Sequence, residues 1–273
     1  MLARPAVVAG SFYPADPETL NRQLELLLQT PDLHTGGTTT RPKALIVPHA
    51  GYIYSGQTAG IAYRTLKRHG ENICKVILLG LSHHLAFCGI ATSSARQFET
   101  PLGAINIDRA TIASLKKLHL IIELDDAHHW EHSLEVQLPF LQKVLNPFKL
   151  IPLATGDCSA GDIARCLDAL WGDGETLVVV SSDLSHFHSY RDAQCIDKTS
   201  CERVLQKKQL SAEQACGYKG VNGLLKFICA RDFSIELLDY RNSGDTAGDK
   251  QRVVGYGAFA IYPGVGNSET SFR

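Results

Sequence analysis

Four short apolar runs, ALIV (44–47), KVILLG (75–80), KLIPLA (149–154) and TLVVVSS (176–182), constrain the fold more than any other feature of this chain. Each is rich in Val, Ile and Leu and lacks polar alternation. Strands that read this way are buried on both faces, as in a parallel sheet covered by helices. Helical stretches are expected between and around them, at about 56–68, 107–118, 131–146 and 160–171. Strand and helix in alternation predict an α/β fold with a mainly parallel central sheet flanked by helices. An earlier helix is expected behind Asp16 as its cap, with Pro17 in the first turn and Leu20, Leu24, Leu27 and Leu28 as its apolar stripe. A last apolar run, VVGYGAFAIY (253–262), suits an antiparallel position.

The chain of 273 residues is read as one domain, 1–273, with a frayed tail from about 264. TPDLHTGGTTTRP (30–42) reads as a surface loop between the first helix and the first long strand. A formal charge of −1 gives no electrostatic reason to expect nucleic acid or an anionic membrane as partner. The N-terminal segment lacks a signal-peptide core, and no run approaches the roughly 18 apolar residues of a membrane span. The expected location is therefore the cytoplasm. Eight scattered cysteines with no CxxC pair read as free thiols.

Polar residues collect where the apolar runs end. PHAGY places His49 just past the first run; LSHH places His83 and His84 past the second; SSDLSHFH places Asp183, His186 and His188 past the last. In open α/β sheets, ligands bind beyond the carboxyl ends of the strands. If the strands are parallel, these residues share one edge. Neutral imidazole suits Fe, Cu, Zn or Ni, so a metal is the first expectation. A further cluster, DDAHHWEHSLEVQLPFL (125–141), offers His132 and Glu135, three apart and on one helical face. They read either as a wall of the site or as part of an acidic helix start; His128 and His129 read as solvated loop residues. Pro139 should bend or break that helix. The polar loop YRNSGDTAGDK (240–250) holds Asp245 and Thr246, and reads as a turn unless a carboxylate is needed to complete a ligand set. Nucleotide-binding, metalloprotease and serine-hydrolase signatures are absent.

AGSFYPAD (9–16), VPHAGYIYSG (47–56), LGLSHH (79–84), FETPLG (98–103), EHSLEVQLPFL (131–141), SSDLSHF (181–187) and the final VVGYGAFAIY together resemble the Memo family, whose bacterial and archaeal members are called AmmeMemoRadiSam system protein B. The resemblance runs over roughly 5–262. It implies a fold similar to the catalytic subunit of class III extradiol dioxygenases, the LigB-like enzymes, in which two His and one carboxylate hold Fe(II). Carried onto this chain, it implies His49 and His83 as imidazole ligands, with His186 and nearby Asp183 in the acid/base position. His84 is then close to the metal without holding it. The third ligand is directed to the C-terminal loop, where animal members are expected to carry a cysteine and this chain has Thr246, with Asp245 beside it. Asp245 would complete a two-His-one-carboxylate set for Fe(II), with Cu and Zn as other fillings. The implied function is a metal-dependent oxidoreductase acting with O₂ on a small molecule. The alternatives are a non-catalytic metal- or peptide-binding protein and a zinc hydrolase. The bacterial family name also implies association with radical SAM and AMMECR-type proteins.

Overall fold

The computed structural model describes residues 2–29, 41–67 and 70–264. In chain order, β1 (Ala3–Arg4) and α1 (Pro17–Leu27) precede β2 (Ala44–Val47), α2 (Tyr52–Arg64) and β3 (Lys75–Leu81). Then come β4 (Ile90–Thr92), β5 (Gln97–Thr100), β6 (Gly103–Asn106), α3 (Arg109–Lys117) and β7 (Ile122–Glu123). Three short helices follow, α4 (Asp126–His129), α5 (His132–Glu135) and α6 (Leu138–Val144), leading to β8 (Lys149–Thr155) and α7 (Ala160–Leu170). The chain continues with β9 (Thr176–Ser181), β10 (His186–His188), α8 (Tyr190–Leu205), α9 (Tyr218–Cys229), β11 (Phe233–Asn242) and β12 (Val253–Pro263).

The four apolar runs are β2, β3, β8 and β9, and they lie side by side in the order β2-β9-β3-β8, all parallel. Every residue of β2 and β9 is buried, as are the central residues of β3. This explains why these strands show no polar alternation. β12 closes one side antiparallel to β2, with β11 and β10 antiparallel to β12 in turn. β4 adds antiparallel to β8 on the other side. A small sheet, β1-β5-β6, stands apart. Helix α9 packs on β3 and β9 with α7 behind it, while α2 packs on β2 and β12 and is backed by α1 and α6.

α1 begins as the sequence predicts. Asp16 accepts from the Thr19 N–H, Pro17 opens the first turn, and Leu20 and Leu24 are buried. The stretch 131–146 is broken into α5 and α6 with Val136 and Gln137 between. Pro139 has no N–H to give to the Glu135 carbonyl, and its ring crowds that turn, so the helix restarts with proline in its first turn. Leu134, Leu138, Leu141 and Leu145 are buried on both sides of the break. The loop reading of 30–42 falls largely, and the tail beyond 264 wholly, outside the described residues. Among the described residues, no helix is long and apolar enough to cross a membrane.

Candidate metal centre

Strand register brings the polar loops together. Val47 at the end of β2 pairs with Ser181 at the end of β9, and Leu79 of β3 pairs with Val180. His49, His83 and Asp183 each follow two residues after one of these strand ends. The three loops therefore leave the sheet at one edge.

The helix α5 completes that edge. Ser133 Oγ donates to the Leu81 carbonyl at 2.9 Å, and Ser181 Oγ donates to the Ser133 carbonyl at 2.6 Å. This close approach requires Gly80, where a Cβ would meet Ser133 Oγ at 2.5 Å and Leu134 Cδ2 at 2.9 Å. His132, at the start of α5, is thereby laid over His83, with ring centroids 4.4 Å apart and planes 15° apart. His49 stands edge-on to both, at 5.3 Å from His83 and 5.5 Å from His132. His49, His83 and His132 each offer one ring nitrogen, and these atoms lie within 4.8 Å of one another.

Hydrogen bonds fix the tautomers of two of these rings. Ser181 Oγ has one proton, which goes to the Ser133 carbonyl, and it accepts from Gln137 Nε2 at 2.8 Å. Its contact with His49 Nδ1 at 2.9 Å is therefore made with Nδ1 as donor. Burial, with the nearby His83 and His186, holds His49 near pKa 3, so the ring is neutral and its Nε2 carries a lone pair. His83 Nδ1 lies 2.8 Å from Glu131 Oε1, and the His83 N–H donates to Glu131 Oε2 at 2.5 Å. Burial alone would raise Glu131, but hydrogen bonds from His83 and Ser133 outweigh it and hold the carboxylate near 2. A carboxylate accepts only, so His83 Nδ1 is the donor, which leaves Nε2 as the ring nitrogen turned away from Glu131. His132, held near 4 by burial and by His49, is neutral as well. Three imidazoles face one point, a donor set that fits a divalent transition metal.

Asp183 and Cys216 border His49. Asp183 Oδ1 accepts from the His49 N–H at 2.8 Å, and Oδ2 lies 4.0 Å from His49 Nε2. Burial raises this carboxyl above its ordinary value despite the His186 ring and the backbone donors around it. Cys216 Sγ is 3.4 Å from His49 Nε2. Burial, then the Asp183 charge, push the thiol up to about 12. Gly217 lets this loop reach β9, since a Cβ there would meet the Ser181 carbonyl at 2.6 Å. His186 interacts electrostatically with both Asp183 and His49; its Nδ1 bonds the Leu184 carbonyl at 2.9 Å.

The remaining sequence candidates lie elsewhere. Asp245 is outside the three-histidine group: one oxygen accepts from the Tyr190 hydroxyl and the other from the Asn242 N–H, which ties the 243–245 turn to itself. Thr246 Oγ1 bonds the Ser243 carbonyl. No cysteine lies in this loop; Cys216, before α9, is the cysteine beside His49. Glu135 is an anchor for the N-terminal segment: it accepts from Arg4 at 2.6 Å, Tyr13 at 2.7 Å and the N–H groups of Val7 and Val8. That segment also lays Phe12 against His132, ring centroids 4.6 Å apart. His84 is exposed, 6.4 Å from the His83 ring, and His188 pairs with Val253 in the sheet. His128 is buried, not solvated, with Nε2 on the Ala91 carbonyl; His129 is exposed.

Sequence reasoning missed Glu131 as the group that orients His83, and Cys216 altogether. Glu131 was legible as the residue before the α5 start, where it caps the Ser133 N–H at 2.7 Å. Cys216 carried no local signal; only the fold brings it within reach of His49.

A family model described as Memo-like protein matches residues 4–260. A MEMO1 family protein of Nitrosopumilus maritimus is 32% identical, over 94% of this chain and 98% of its own length. Members from Aquifex aeolicus and Ignicoccus hospitalis are 35% and 36% identical over the same shares. Motifs, fold and comparisons agree, and the chain belongs to the Memo family.

Proposed function

We propose that this protein is a metal-dependent redox enzyme of dioxygenase type acting with O₂ on a small molecule. His49, His83 and His132 would hold one divalent metal, iron(II) in the first instance. The observation that carries this reading is the pair of committed Nδ1 atoms. Ser181 and Glu131 each accept from an Nδ1, so Nε2 is the atom that His49 and His83 are left to present to a metal. Cys216 lies beside His49 as a further donor once its proton is lost, in place of the carboxylate of Asp245. Iron would supply one-electron chemistry to oxygen, whereas zinc would supply Lewis acidity only.

The protein's own groups have separate tasks. Asp183 holds the His49 backbone through Oδ1 and stands ready to keep or yield a proton. His186 has Nδ1 on a carbonyl, which leaves Nε2 to take a proton from a substrate hydroxyl and return it. Phe12 covers one side of His132 and limits water there.

A second reading, a zinc hydrolase, is favoured by the all-imidazole character of the cluster. Anaerobic loading with iron(II), then oxygen uptake with a panel of catechols and related phenols, separates the two. Iron-dependent uptake that is lost in His186→Ala supports the first reading. Ester hydrolysis by the zinc form, with no oxygen uptake by the iron form, would replace it with the second.

A further inference from the structure

A cavity of about 320 Å³ opens beside the centre and shares Cys216 with it. This is roughly twice the ~150 Å³ that admits a benzene ring in an apolar interior. Leu81, Leu85 and Phe87 form its apolar wall, and Ser82, Thr155, Asp157, Tyr218 and Lys219 are polar members of the lining. The loop after β3 supplies Ser82, Leu85, Ala86 and Phe87. The same loop delivers His83, so the cavity and the candidate metal centre are built by one piece of chain.

Lys219 is the one cation of this lining. Its Nζ donates to the Gly156 carbonyl at 3.0 Å and to Asp157 Oδ1 at 3.0 Å. An ammonium has three donors, and these two contacts leave one uncommitted. The lysine side chain is 26% exposed but that of Asp157 is 87% exposed. A pair with so solvated a carboxylate is worth little, so an arriving carboxylate can take its place. The carbonyl of Gly156 keeps the ammonium positioned through the exchange.

We propose that this cavity is a substrate recess which takes a small carboxylate bearing a planar unsaturated ring. The carboxylate sits on the Lys219 ammonium and the ring on Phe87 and the adjoining leucines. Its role as a substrate recess rests on the metal-centre reading above; its binding preference does not, and is measured without metal. An anionic group at Lys219 directs the rest of the ring toward Cys216 and the histidines, which would decide which part of the molecule meets the centre.

The test uses benzoate and its neutral counterpart benzamide, titrated into chelator-treated protein by calorimetry or ligand-observed NMR. Benzoate should bind more tightly by about fivefold, the scale of one partly screened ion pair. Lys219→Met should abolish that preference while leaving benzamide affinity unchanged. Asp157→Asn should tighten benzoate, because the competing carboxylate is gone; a lysine with a merely structural role would not give this gain. Equal affinities for the two probes, no benzoate binding by the folded protein, or a preference that survives in Lys219→Met would each overturn the proposal. Should Lys219→Met fail to fold, the direction of change in Asp157→Asn decides alone. Metal content of the untreated protein is read separately, so a failed recess and a failed metal centre give different results.

Discussion

Replacing Glu131 by Gln probes the link between the sheet edge and the ring that faces the centre. Glu131 Oε1 accepts from His83 Nδ1 at 2.8 Å and from the Ser133 N–H at 2.7 Å, while Oε2 accepts from the His83 N–H at 2.5 Å. Glutamine keeps the shape but turns one oxygen into a donor. In one orientation the amide confronts the His83 N–H. In the other it confronts Nδ1, and His83 must then move its proton to Nε2, the atom needed for metal. Either way a part-buried donor loses its acceptor, at a cost of about 1 kcal/mol. The protonation equilibrium gives a second measure. A carboxylate held near 2 instead of 4.5 contributes about 3 kcal/mol at neutral pH, at ~1.4 kcal/mol per tenfold. Because the folded value is depressed, this stability is present above about 4.5 and is lost as pH falls toward 2. Urea denaturation of the metal-free proteins at pH 7 should therefore show Glu131→Gln less stable by about 3 kcal/mol, with the gap closing in acid. Competition against a chromophoric chelator should show metal affinity reduced by about 10–100-fold. A variant with wild-type stability and wild-type affinity would refute the assignment of Glu131 as the group that orients His83.

Other substitutions separate support from ligation. Glu135→Ala leaves buried Arg4 without its partner and should cost about 3–5 kcal/mol in denaturant melts, while metal affinity in the folded fraction is unchanged. Gly80→Ala drives a methyl into Ser133 and Leu134; a loss of about 1–3 kcal/mol and a weaker metal site are expected together, since α5 carries His132. His128, pushed down to about 4 by burial, takes a proton more readily when unfolded. It should therefore remove about 2 kcal/mol of stability between pH 7 and pH 5, and His128→Gln should flatten that part of the stability profile by the same amount.

The parallel core was legible because burial on both faces leaves a direct mark: ALIV, VILLG and VVV carry no polar alternation, and each became a strand. The edge where His49 and His83 meet was legible for the same reason, since polar residues begin where the strands stop. The break in 131–146 was legible at Pro139. What sequence could not carry was direction. Asp245 and Cys216 are both potential ligands on loops, and only packing distinguishes them. The first is consumed by Tyr190 and its own turn, and the second is pressed against His49 because Gly217 allows it. Glu135 offered the same ambiguity. Its spacing from His132 puts both on α5, yet Arg4, Tyr13 and the Val7 and Val8 amides draw its carboxylate away to the N-terminal segment.

Metal stoichiometry of untagged protein by inductively coupled plasma mass spectrometry, after loading with iron(II) and desalting without oxygen, bears most directly on the centre. Wild type and Asp245→Ala should each retain about one metal per chain, whereas His49→Ala, His83→Ala and His132→Ala should each lose most of it while remaining folded. Retention of metal by all three histidine variants, or its loss in Asp245→Ala alone, would contradict a three-histidine centre at this sheet edge.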